Sequence, residues 1–406
     1  MKRSVGALSI LLLSLLDLTA IGCNGSQAGS TPTTPTAPTQ TAYYTAWGDS
    51  LTAGCEDGAS PQCAYPYQLS QLISNSVVLN EGIGGQTSTQ IAVRMGAVPT
   101  YVTSAFTIPA SGSVSNVTFE TGHEPCFNVA ATGYIEGTID GVQVYCQNPG
   151  GTSYTLTRVA AGAAQNVNSG DAWTPVLAAT ALNGINIIWA GRSNTSTCPT
   201  SAATTSNCPV ASDIAAMTSY IIAHGGKYLV LTVINGELDG DAPYSTPYEW
   251  IMAINTWITS TYPNNSFDIR EPLVAAYDAS NPADVLDHAN DIPPFSLRAF
   301  NSSGTLAAAV SSPTTCAISL GFSIGAKTTV TVGSEHIFID SGTDGNYVCT
   351  RGYAGSTAAT YSSGTPWIGT DPLHLSGYGT ANAGNPNGPG YTFVAKAVQG
   401  ALAKLQ

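Results

Sequence analysis

Apolar positions along the chain follow two rhythms in alternation. Near-continuous apolar runs at 43–47, 77–83, 185–191 and 227–235 each precede a segment whose apolar residues recur at helical spacing. The first such segment, "YPYQLSQLI" at 65–73, sets Leu69, Leu72 and Ile73 on one face. The others fall at 87–95, at 213–225, where a glycine ends the helix, and at 247–262. A weaker fifth strand is expected at 267–274, and an amphipathic helix at 390–405 closes the chain. Strands that are apolar throughout have both faces covered, and strands alternating with helices are joined by crossovers. The pattern therefore predicts an α/β layer structure with a parallel sheet and helices on both faces.

Two stretches break the rhythm. From about 96 to 180, short alternating runs such as "SVSNVTF" and "GVQVYC" lie among glycine-rich turns, and from about 292 to 365 "KTTVTV" and "EHIFID" do the same. Both read as small β-rich modules inserted into loops of the α/β core. Ahead of the core, residues 1–23 read as an export signal: Lys2 and Arg3 precede a short apolar run at 8–16 that Asp17 interrupts. The run ends in "TAIGC", which resembles the lipobox of bacterial lipoproteins and makes Cys23 the lipidation candidate. Residues 24–41 are a threonine- and proline-rich tether, leaving 42–406 as the folded domain. The expected location is the bacterial outer membrane, periplasmic or cell-surface, with membrane contact through the lipid. The alternative is a soluble secreted product.

Composition narrows the partners. Only 9 % of the 406 residues are charged, and 12 basic against 25 acidic residues give a net charge of −13. Such a chain repels a phosphate backbone, so nucleic acid is not an expected partner. Nine cysteines minus Cys23 leave eight, an even number that suits an oxidising compartment. They fall as sequence neighbours, Cys55 with Cys63, Cys126 with Cys146, Cys198 with Cys208, and Cys316 with Cys349, and four local disulfides are the economical expectation. No Cys/His cluster suggests a metal.

The candidate chemistry begins at "YYTAWGDSLTAG", where Ser50 follows the first strand. A serine hydroxyl becomes a nucleophile when a base takes its proton, and the base works best when a carboxylate orients it. Five histidines are available. His123 lies in the first insert, His224 ends a helix, His288 sits in "DVLDHAND", which reads as an acidic solvated loop, and His336 lies in a strand of the second insert. His374 stands in "DPLHLSGYG", three residues after Asp371 and just before the last helix.

These blocks resemble the GDSL/SGNH hydrolases, serine esterases and lipases on a flavodoxin-like sheet. "GDSLT" matches the family's nucleophile block and "DPLHLSGYG" its Asp-x-x-His block, while "NEGIGGQTS" aligns Gly85 with the glycine whose N–H helps form the oxyanion hole. The resemblance covers the α/β core and not the inserts. It implies Ser50, His374 and Asp371 as a triad, with the N–H groups of Ser50 and Gly85 in the oxyanion hole and no metal or organic cofactor. The family's third block, Gly-x-Asn-Asp, is irregular here. "WAGRSN" puts Ser193 in strict register and Asn194 one residue late, and either is a candidate third donor. The implied substrate is a carboxylic ester: a glycan acetyl ester, a lipid or a small ester. The alternative is a surface binding protein on a decayed hydrolase scaffold, with the inserts binding glycan or a partner.

Overall fold

The computed structural model describes residues 41–54, 61–129, 133–148, 151–201, 207–237, 245–377 and 390–405. The apolar runs form a five-stranded parallel sheet of Ala42–Gly48, Ser76–Gly82, Ile185–Trp189, Lys227–Leu231 and Ser266–Phe267. Numbered along the chain, the strands lie in the order 2-1-3-4-5, every pair parallel. The chain reverses its direction of winding between strands 1 and 3. In open α/β sheets the crevice beyond the carboxyl ends of two such strands is where ligands bind. Ser50 follows strand 1 and residues 192–194 follow strand 3, so both candidate segments fall at that switch point.

Side-chain alternation along each strand feeds two apolar layers. On one face Tyr44, Ala46 and Ile187 pack with Tyr65 and Leu69 of α2 (Tyr65–Leu72) and with Val394 and Val398 of α8 (Gly390–Leu402). On the other, Trp47, Ile188 and Val230 pack against α3 (Ser88–Met95), α4 (Pro209–Ala223) and α5 (Thr246–Thr261).

Two expectations are corrected. The fifth strand is only Ser266–Phe267, and most of 267–274 is instead helix α6 (Arg270–Ala275). The Asp268 carboxylate accepts from the N–H groups of Arg270 and Glu271 and starts the helix, while Pro272, which has no ladder donor, fits a first turn better than a strand. "DVLDHAND" is not a solvated loop either. It lies largely in α7 (Pro282–Ala289), capped by Asn281 and started by Pro282, with Asp284 and Asp287 buried.

Each irregular region folds as antiparallel sheet. Between Thr100 and Pro175 lie a six-stranded sheet and a two-stranded ribbon, around an apolar cluster in which Phe119 meets Tyr154 and Trp173 edge-on. Further on, Arg298–Thr305, Pro366–Leu375, Thr328–Val332, Glu335–Thr343 and Asn346–Thr350 form a second sheet, in that spatial order, over a core that includes Trp367 and Ile337. Disulfides join Cys126 to Cys146, Cys198 to Cys208 and Cys316 to Cys349. Cys63 is also disulfide-bonded, and its expected partner Cys55 lies outside the described residues, as does Cys23. Such bonds persist in oxidising compartments and are consistent with an extracellular protein. No helix among the described residues is long and apolar enough to cross a membrane.

The layered core predicts a contrast between two isoleucines. Ile188 is fully buried and Ile222 is 59 % exposed. Ile188→Ala is expected to lower the urea-measured unfolding free energy by about 2–5 kcal/mol, and Ile222→Ala by no more than about 0.5 kcal/mol.

Candidate active site

Strand 1 must turn sharply to deliver Ser50. A Cβ on Gly48 would stand 2.1 Å from Thr52 Oγ1 and 2.6 Å from the Trp189 carbonyl oxygen, so only glycine lets the strand fold back into the short helix α1 (Ser50–Ala53). Gly82, at the end of strand 2, gives way in the same manner, since a Cβ there would lie 2.1 Å from Ala53 N. Buried Asp49 caps the helix by accepting from the Leu51 N–H at 3.0 Å. Ser50 is thus the first helical residue, half-buried, and its N–H has no intrahelical acceptor.

His374 reaches Ser50 from the far end of the chain. His374 Nε2 lies 2.8 Å from Ser50 Oγ, and His374 Nδ1 lies 3.1 Å from Asp371 Oδ1. An Nδ1–H donating to the carboxylate leaves the Nε2 lone pair facing the serine hydroxyl. Both side chains come from a β-bulge and not from a simple turn before the last helix. In the pairing of Arg298–Thr305 with Pro366–Leu375, Arg298 faces Leu375 and Phe300 faces Thr370, so residues 371–374 stand opposite Ala299 alone. Bulges of this kind re-aim side chains, and Pro372 sits where no ladder donor is needed.

The bulge is held tightly. Asp371 Oδ1 also accepts from the N–H groups of Leu373 at 2.7 Å and His374 at 2.6 Å. Burial pushes the Asp371 carboxyl up, but the His374 ring and these N–H groups outweigh it and hold the pKa below the ordinary value. The Pro372 carbonyl accepts from the Glu237 N–H at 2.8 Å, and a Cβ on Gly236 would strike that carbonyl at 2.3 Å. Underneath, fully buried Arg298 donates to Glu237 at 2.7 Å, to Asp287 at 2.8 Å and to the Asp371 carbonyl at 3.4 Å. Tyr353 donates to the other Glu237 oxygen at 3.0 Å. Asp287 is pushed well up, by burial first and then by Glu237 and Asp284, against the pull of Arg298.

The remaining predicted residues divide. The Gly84–Gly85 turn lies beside Ser50: a Cβ on Gly84 would be 3.7 Å from Ser50 Cβ, and Gly85 has φ +72°. Asn194 is buried and turned to α3. Its Oδ1 accepts from the Ser88 N–H at 3.1 Å, and its Nδ2 donates to Ser88 Oγ at 3.0 Å. Ser193 is exposed, and its hydroxyl donates to Asp49 at 3.4 Å. The other four histidines are engaged elsewhere: His123 near Glu120, His224 capping α4, His288 stacked on Tyr277 and His336 beside Thr331. Sequence reasoning missed Asp49, Glu237, Arg298 and Asn128, whose side chain donates to the Gly84 carbonyl. An aspartate directly before Ser50 carried a capping signal. The other three lie in segments that only the folded chain brings together. Among the described residues no group of three or more His, Cys, Asp and Glu side chains is placed to hold a metal ion.

Asp49 makes stability depend on pH. Its carboxyl is pushed up to about 6 from 3.8, chiefly by burial, against the Leu51 N–H, His374, Arg192 and the Ser193 hydroxyl. An acid raised in the folded state contributes stability below its unfolded pKa that is lost as pH rises through about 6, here roughly 3 kcal/mol. Asp49→Asn keeps an acceptor for Leu51 and removes the titration. Urea unfolding is expected to show the variant gaining on the wild type between about pH 4 and about pH 7, by roughly that amount. A gap that stays constant with pH contradicts the assignment.

No protein-family model and no curated protein matches the sequence. Among solved structures, the chain is similar to a G-D-S-L family protein, described as lipolytic, from Desulfitobacterium hafniense, with 16 % identity, coverage of 59 % of this chain and 82 % of that one, and a TM-score of 0.29. It is similar to a gut microbial diltiazem-metabolizing enzyme with 9 % identity, coverage of 63 % and 43 %, and a TM-score of 0.25. A pyruvate kinase from Pyrobaculum aerophilum matches with 9 % identity, 48 % of each chain and a TM-score of 0.16. At these values the likenesses carry no statement about chemistry.

Proposed function

We propose that the protein is an exported serine hydrolase of the GDSL/SGNH type that cleaves carboxylic esters. One observation carries the reading: Ser50 Oγ, the His374 ring and the Asp371 carboxylate form a continuous hydrogen-bonded relay. His374 Nε2 takes the hydroxyl proton as Ser50 Oγ attacks the ester carbonyl, and Asp371 stabilises the imidazolium. The tetrahedral oxyanion is held by the N–H groups of Ser50 and Gly85. Ser193, whose hydroxyl donates to Asp49 at 3.4 Å, would serve as third donor by turning from that carboxylate to the oxyanion, while the buried Asn194 carboxamide bonds to Ser88 through both its oxygen and its nitrogen. His374 then returns the proton to the leaving alcohol. Water, activated by the same imidazole, releases the acid and restores Ser50.

Among esters, we place glycan O-acetyl esters first, because both β inserts border the site and a short acyl group needs little space behind the nucleophile. Disulfides and the leader-like N-terminus support export, with Cys23 as the lipid attachment point. The reading is tested by p-nitrophenyl acetate hydrolysis. Ser50→Ala and His374→Ala are each expected to lower kcat by at least about 10³-fold, and Ser193→Ala by about 10–100-fold. Turnover that persists in Ser50→Ala would favour a binding protein on a hydrolase scaffold instead.

A further inference from the structure

The first β insert does more than border the site. We propose that Asn128, carried on that insert, is a positioning residue for the oxyanion hole. Its carboxamide fixes the peptide plane whose opposite edge is the Gly85 N–H. The inference rests on the hydrolase reading and adds to it a residue that belongs to none of the matched blocks.

The geometry is local and specific. Asn128 Nδ2 donates to the Gly84 carbonyl oxygen at 3.2 Å. In a planar trans peptide the C=O of residue 84 and the N–H of residue 85 point in opposite directions. Fixing one therefore aims the other, and donation into the carbonyl polarises the amide so that its N–H donates more strongly. Two consecutive glycines have wide conformational freedom, so this N–H needs an external clamp to be preorganised. Asn128 is seated directly on the turn, its Nδ2 only 2.7 Å from where a Gly85 Cβ would be.

Asn128 is itself held in place. It has φ +55°, a conformation asparagine tolerates better than most residues, two positions from the Cys126–Cys146 disulfide. Its neighbour Phe127 accepts through its carbonyl from Gln86 Nε2 at 2.9 Å, and Gln90 donates to Glu124 at 2.8 Å. Three side-chain bonds thus tie residues 124–128 to the loop and helix that follow strand 2. Asn128 is exposed, so the clamp adds little to the core. It answers a need created by the third block, where Asn194 is turned to Ser88. With one side-chain donor committed elsewhere, the orientation of the backbone donors matters more.

Asn128→Gly keeps the positive φ and removes the carboxamide, and Asn128→Asp keeps the shape but cannot donate to a carbonyl when ionised. Steady-state hydrolysis of p-nitrophenyl acetate is expected to show kcat falling about 10-fold in both, with KM within about twofold. The inhibition constant of a phenylboronic acid, which forms a tetrahedral adduct on the serine, should rise in proportion to the loss in kcat/KM, and the urea midpoint should not move. Wild-type kcat/KM in Asn128→Gly, with Ser50→Ala inactive, overturns the clamp and leaves the hydrolase reading standing. A loss of rate matched by a loss of stability, or by a raised KM with unchanged kcat, also overturns it. An absence of Ser50-dependent turnover in the wild type overturns both.

Discussion

The 2.8 Å contact between Ser50 Oγ and His374 Nε2 joins residues 324 positions apart and constrains everything around it. Closing so long a loop has an entropic cost that rises only slowly with length, so the distance along the chain is not the difficulty. Precision is. A bond from a strand-ending serine to an imidazole on another sheet needs both partners fixed to within a few tenths of an ångström. The structure fixes the serine by packing, with glycines 48 and 82 permitting contacts that no side chain would allow. It fixes the imidazole electrostatically, through Asp371 and the buried ions beneath it.

That second device explains the use made of a small number of charges. Arg94, Arg270, Arg298 and Arg351 have side chains no more than 6 % exposed, and each is paired with a carboxylate: Glu81, Asp291, Glu237 and Asp287, and Glu335 respectively. A third of the chain's 12 basic residues is therefore committed to ion pairs within the fold, together with five carboxylates. Buried pairs are poor sources of net stability, but removing either member strands the other. Arg298 joins the second insert to the loop after strand 4 and to α7, at the point where the bulge needs a floor.

The parts legible in the sequence are those governed by local period. Four of the five core strands and the helices that cover them follow from runs of apolar residues. The fifth strand fails because "DIREPLV" is apolar enough for a strand, while the Asp268 cap and Pro272 turn it into a helix. α7 was hidden for the opposite reason. Its carboxylates look solvated until Arg298, eleven residues beyond Asp287, turns inward to meet one of them. At the site, the pairing of Ser50 with Asp371 and His374 was readable from the resemblance of "GDSLT" and "DPLHLSGYG" to the blocks of one family, whereas the bulged antiparallel strand that carries the second block was not. The orientation of Asn194 was not, since it depends on Ser88, 106 positions away. Asn128 carried no signal at all, because its partner is a backbone carbonyl, which every residue has.

The two inserts therefore cannot be treated as attachments to a finished α/β core. The strand that carries Asp371 and His374 is paired on both sides, with Arg298–Thr305 and with Thr328–Val332, and belongs to the second antiparallel sheet. A one-residue slip in that register would send alternate side chains to the opposite face. The pairing of Thr370 with Thr329 on one side and Phe300 on the other fixes where the ladder ends and the bulge begins. Folding of the antiparallel module is thus a precondition for an ordered relay, while the parallel sheet supplies only the serine. A core trimmed of the second module would retain Ser50 in a well-made turn with no imidazole to meet it. The division of labour follows from the physics of the elements. A strand ending in a helix presents a hydroxyl with its own N–H donor, and a bulged antiparallel strand can present a carboxylate and an imidazole on one side of the chain.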